Sequence, residues 1–112
     1  MAYDEKLAGR VRAALSGQKG ISEIKMFGGL CFTLRGNMCC GVLNSDFIAK
    51  FDKADHARLL QEPGARPFDF AKRPMRGILY VSSGSVKTGA GLRKWIERCV
   101  RFAGSLPPKK GS

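Results

Sequence analysis

The residues of this 112-residue chain that carry the most chemistry are four cysteines, one histidine and a crowd of arginines and lysines. Thiols at Cys31, Cys39, Cys40 and Cys99 are the right type to bind zinc, form disulfides or attack an electrophile. Their spacing supports none of these. There is no C-x-x-C, His56 is the sole imidazole, and Cys39 and Cys40, adjacent on a strand, are expected to point to opposite faces. They read as reduced thiols, with no metal and no cofactor. His56 has no Ser, Cys or carboxylate motif beside it and reads as a packing or surface residue rather than a base. The segment GSVKTGAG, residues 84–91, sets Lys and Thr among glycines ahead of a helix but lacks Walker A spacing. With no G-x-S-x-G, no H-E-x-x-H and no carboxylate pair in an evident cleft, no catalytic residues are assigned and no enzyme activity is expected.

Charge is the stronger signal. Lys and Arg number 20 against 9 acidic residues, a net charge of +11 that attracts polyanions through its long-range field. Two basic groups stand out. Arg93, Lys94, Arg98 and Arg101 share one predicted helix, with Glu97 opposing them. Arg66, Lys72, Arg73 and Arg76 crowd the Pro-punctuated segment around AKRP. Together they form a candidate nucleic-acid-binding set of sequence-independent phosphate contacts, since no base-reading motif accompanies them. The plainer reading is a solvated helix face and a charged loop that keeps a sheet edge from pairing.

Positioning these residues falls to a run of strands over residues 24–51. A two-residue turn at Gly36-Asn37 pairs Leu34 with Cys39, Phe32 with Gly41 and Leu30 with Leu43. A three-residue loop at 44–46 then sets Phe47 opposite Leu43 and Ala49 opposite Gly41, and a bulged turn at 28–30 aligns Ile24 and Met26 with Phe32 and Leu34. The expected core face is Ile24, Met26, Phe32, Leu34, Cys39, Leu43, Phe47, Ala49 and Phe51. The other face keeps Cys31, Met38, Cys40, Val42 and Ile48, more apolar than a wet face needs, and these five are the candidate protein-interaction residues.

Helical periodicity predicts a first helix over residues 4–17 with Leu7, Val11, Ala14 and Leu15 inward. A short second helix, capped by Asp52, has Ala54, Ala57 and Leu60 inward. A third over 90–105 carries a stripe of Leu92, Trp95, Ile96, Cys99, Phe102, Ala103 and Leu106. Phe68 and Phe70 belong to one further strand, and Ile78 to Val81 to another. The expectation is a single domain over 1–106 and a flexible basic tail over 107–112. No apolar run approaches the roughly 20 residues of a membrane span and no signal peptide opens the chain, so the expected location is cytoplasmic, with no membrane partner.

KMFGGLCF at 25–32, GNMCCGV at 36–42, EPGARPFDF at 62–70, RPMRGILYV at 73–81 and Trp95 resemble the N-terminal domain of the TfoX (Sxy) family of competence regulators, over nearly the whole chain. The resemblance implies a two-layer α+β sandwich, an antiparallel sheet of five or six strands against helices, like secretion-chaperone and YjbR-type folds, in the order α-β(3-4)-α-β(2)-α. Full-length TfoX regulators add a helical C-terminal domain and promote transcription of DNA-uptake genes; this chain resembles the first domain standing alone. The family lends no catalytic residues. The resemblance leads to the expectation of a non-enzymatic regulatory or protein-interaction domain, its partner another protein or a second copy in a homodimer. The alternative is the basic nucleic-acid-binding module.

Overall fold

The computed structural model describes residues 3–26, 28–68 and 75–107. Helix α1 (Glu5–Ala14) opens where Asp4 accepts from the backbone N–H groups of Lys6 (2.9 Å) and Leu7 (3.2 Å), satisfying two donors that a helix start leaves without partners. Four strands follow, β1 (Ile21–Met26), β2 (Gly29–Leu34), β3 (Asn37–Leu43) and β4 (Asp46–Lys50). A 3₁₀ turn (Lys53–Asp55) leads into α2 (His56–Leu60); then come β5 (Ala65–Phe68), β6 (Met75–Val81), a second 3₁₀ turn (Ser83–Val86) and α3 (Gly89–Ser105). This is the expected α+β order. Asp52 caps the first 3₁₀ turn, accepting from Ala54 N–H at 2.9 Å. Leu60 packs half-buried against the core as expected, but the fully buried residue of α2 is Leu59, while Ala54 and Ala57 are exposed, because the 3₁₀ turn rotates the face that reaches the core. Thr88 caps α3 by accepting from Gly91 N–H at 3.0 Å, so the end of GSVKTGAG serves as a helix start.

Among the described residues, six strands lie in one antiparallel sheet, ordered β1-β2-β3-β4-β6-β5. Its turns sit one residue away from the expected positions. Leu34 pairs with Asn37, so the β2–β3 turn is Arg35-Gly36, both at positive φ (51° and 87°), as a type I′ hairpin requires. Leu43 pairs with Asp46 across Asn44-Ser45, and Met26 pairs with Gly29, with no bulge in the β1–β2 ladder. The irregularity lies instead between β2 and β3, where Phe32 faces Cys40 and Thr33 faces Met38, leaving Cys39 as the extra residue.

These shifts change which side chains are covered. Leu30, Val42, Phe47 and Val81 form one row on the helix-covered face, and Phe32, Cys40, Ala49 and Leu79 form another. Against them pack Leu7, Ala8, Val11 and Leu15 of α1 and Leu92, Trp95, Ile96, Cys99 and Ala103 of α3. Leu43, expected in this core, lies instead in a smaller cluster with Ile48, Phe68 and Ile78 on the other face. Ile24, expected inward, is 42% exposed. In its place Glu23 faces Phe32 and reaches Arg12 of α1 in a two-pronged ion pair, with Nη2 2.8 Å from Oε1. The edge strand thus meets the helix layer through charge, a pattern that discourages further strand addition.

Two glycines explain the short motifs. A Cβ on Gly29, the second glycine of KMFGG, would stand 2.6 Å from the Val42 carbonyl, so β2 and β3 approach each other only without a side chain there. Gly77, in RPMRG, has φ 84°; its N–H donates to His56 Nδ1 at 3.0 Å, and its carbonyl accepts from Phe51 N–H at 2.8 Å. The single histidine is therefore a pin between α2 and β6. Gly77→Ala should destabilise the domain by at least about 2 kcal/mol, since left-handed strain adds to a Cβ placed 2.9 Å from the Phe51 carbonyl. Urea denaturation of the variant against wild type measures it.

Candidate interaction surfaces

Of the five candidate interaction residues, Cys40 and Val42 belong to the core beneath the helices, both essentially inaccessible. The Cys39 bulge moves them off the outer face. Cys31, Met38 and Ile48 do lie there: Cys31 faces Gly41 and Gly41 faces Ile48, while Met38 faces Thr33. Of the three, only Met38 is more than marginally accessible. The outer face is thus a small packed cluster, in which Arg66 stacks over Tyr80 (5.1 Å) and pairs with Asp46 at 2.6 Å. Val42→Glu should abolish the cooperative unfolding transition, rather than merely block association, when followed by circular dichroism.

The four thiols are buried and reduced. Cys39, Cys40 and Cys99 share the main core, against the expectation that neighbouring Cys39 and Cys40 point apart; the bulge turns both inward. Burial pushes the Cys31 thiol up to about 11 and the Cys99 thiol well above its ordinary range; Cys40 is raised by its neighbour Cys39 and by burial. Among the described residues no group of three or more His, Cys, Asp or Glu is placed to hold a metal ion.

The basic helix divides in two. Lys94 and Arg98 turn toward Glu62 beside Pro63-Gly64, at 2.9 and 3.5 Å, and Arg98 lies 4.8 Å over the Trp95 ring. Their charge holds the Glu62 carboxyl below its ordinary range, Lys94 contributing most. Arg93 and Arg101 have no ion-pair partner among the described residues and turn toward α1. Arg66 is on the outer face, opposite Tyr80, and so is separated from α3 by the sheet. Arg76 is exposed on β6, and Lys72 and Arg73 lie outside the described residues.

Between α1 and α3 runs an open groove of about 900 Å³. Leu92, Ile96 and Val100 line its α3 side, and Ala13 and Ala14 its α1 side. Ala14, expected inward, is exposed there. Arg10 enters from α1, its Nη2 donating to the Thr88 carbonyl at 3.2 Å, and faces Arg93, Glu97 and Arg101. Sequence reading missed this site because Arg10 and Ala13 carry no motif. The usable signal was the paired apolar stripes of two helices bound for the same sheet face.

A fold of this order, with motif glycines at a close hairpin and a left-handed strand residue, defines a class of small α+β domains. The family profile described as the TfoX N-terminal domain matches residues 13–103, and the chain belongs to that family. Membership supports a regulatory, non-catalytic role. No curated protein and no solved structure matches the chain.

The thiols give a pH signature. A folded-state value above the unfolded one means the native protein keeps a proton that the unfolded chain loses, so stability is full below the unfolded thiol range near 8.5 and falls as pH rises through it. From pH 8 to 10.5 the unfolding free energy from urea denaturation should drop, at most by about 1.4 kcal/mol per pH unit for each thiol whose value is raised. Cys31→Ala should lessen the slope.

Proposed function

We propose that this domain is a non-enzymatic regulatory module that works by binding another protein through the groove between α1 and α3. The observation carrying this reading is the groove itself: an apolar floor rimmed by Arg10, Arg93 and Arg101, in a family whose membership supports regulation. Solvated charge alone needs no trough between two helices. Accessible apolar side chains, here Ala13, Ala14 and the half-buried Val100, framed by polar groups are how protein contacts are built.

The test is restoration of regulation. In a host lacking the gene, wild-type protein should return the transcript profile to normal. Arg93→Glu with Arg101→Glu should fold with an unchanged melting temperature and fail to restore it. Full restoration by the double variant sinks the groove as the working surface.

The second reading, a nucleic-acid-binding module, is favoured by the net charge of +11 and by the same Arg93 and Arg101. It predicts binding to labelled duplex DNA that weakens steeply with salt and is lost in the double variant. The protein-contact reading expects only non-specific DNA affinity, about 10⁻⁴ to 10⁻⁶ M at physiological salt.

A further inference from the structure

The groove between α1 and α3 has features that select an occupant. Its floor is apolar, with Val100 half-buried and Leu92 and Ile96 almost wholly covered by the core, and its α1 wall is made of the exposed Ala13 and Ala14, which let another backbone come close. Arg93 and Arg101 stand eight positions apart on α3, or about 12 Å at 1.5 Å per residue, with Arg10 facing them from α1. Glu97, between them, is the one acidic side chain of the lining among the described residues. Three cations against one anion give the rim a net positive charge.

We infer that this groove receives an acidic amphipathic helix of a partner protein, an inference that rests on the protein-contact reading above. A helix laid along α3 places apolar residues against Ala13, Ala14 and Val100 and carboxylates about two turns apart against Arg93 and Arg101. Guanidinium groups suit this role because their fork donates to both oxygens of a carboxylate. Duplex nucleic acid satisfies the arginines but leaves Ala13, Ala14 and Val100 without an apolar partner. A small amphipathic acid fills such a volume but brings a single carboxylate to three arginines.

The probes are designed helical peptides of about 18 residues, five turns long. One carries a leucine stripe flanked by glutamates; a second replaces the glutamates by lysines; a third breaks the helix with a central proline. Each is titrated into isotope-labelled protein, with amide shifts followed by NMR. The acidic helix should perturb the amides of Ala13, Ala14, Ile96 and Val100 and bind at least roughly tenfold more tightly than the other two. Arg93→Glu with Arg101→Glu should weaken it by roughly tenfold, the order expected when two rim pairs become repulsive, and Ala13→Trp should block it by filling the wall. Equal binding of the acidic and lysine peptides, perturbation confined to residues outside the groove, or no binding at millimolar peptide overturns the inference. So does duplex DNA that perturbs the same amides and displaces the acidic helix. If the peptides fail while the double variant still fails to restore regulation, the groove stands as the working surface and only the acidic-helix occupant is lost.

Discussion

Pairing between β2 and β3 is the constraint on which the rest of the structure depends. Arg35 and Gly36 turn the chain with both residues left-handed, and the turn is tied down from three sides. Arg35 N–H donates to the Gly20 carbonyl at 2.9 Å, the Arg35 guanidinium donates to the Gly104 carbonyl near the end of α3 at 2.9 Å, and Asn37 Nδ2 reaches the Pro107 carbonyl at 2.9 Å. A cation at the C-terminal end of a helix also suits its dipole. The same few residues therefore set the register of the central hairpin and anchor the helix that covers it. With Phe32 opposite Cys40 and Leu30 opposite Val42, two apolar rows extend through β4 and β6, and Trp95 and Ile96 find a continuous surface to pack on.

Much of this is legible in the sequence. Element order, the Asp52 cap and most of the α3 stripe follow from periodicity and capping chemistry, which are local properties. Register is not local. Gly36-Asn37 and Arg35-Gly36 are both acceptable two-residue turns, and moving from one to the other slides every pair along the ladder. What decides between them is the hold on Arg35 from Gly20 and Gly104, contacts distant in sequence. A turn moved by one residue leaves the facing parity intact, and it is the bulge at Cys39 that reverses it, which is why the sequence pattern places Cys39 correctly and misplaces Cys40 and Val42.

The edge strand teaches a related lesson. On the sequence pattern alone, a register that puts Glu23 and Lys25 on the core side loses to one that puts Ile24 and Met26 there, because charge is costly in a core. β1 lies at the sheet margin, where the inward position meets α1 rather than the core interior, and Glu23 finds Arg12. Burial at a given parity depends on how far the covering layer extends. The candidate groove is hidden in the sequence for the same reason: Arg10, Ala13, Arg93 and Arg101 become neighbours only once α1 and α3 lie side by side.

The buried thiols have a practical consequence. Because every cysteine is shielded in the native fold, each becomes a clock for the opening of its own surroundings, reacting with a small alkylating reagent only as often as the structure yields there. Cys31 reports from the outer side of the sheet, while Cys39, Cys40 and Cys99 report from beneath the helices. The native chain thus carries built-in sensors on both sides of one sheet, able to tell whether the helix layer lifts away before the strands come apart.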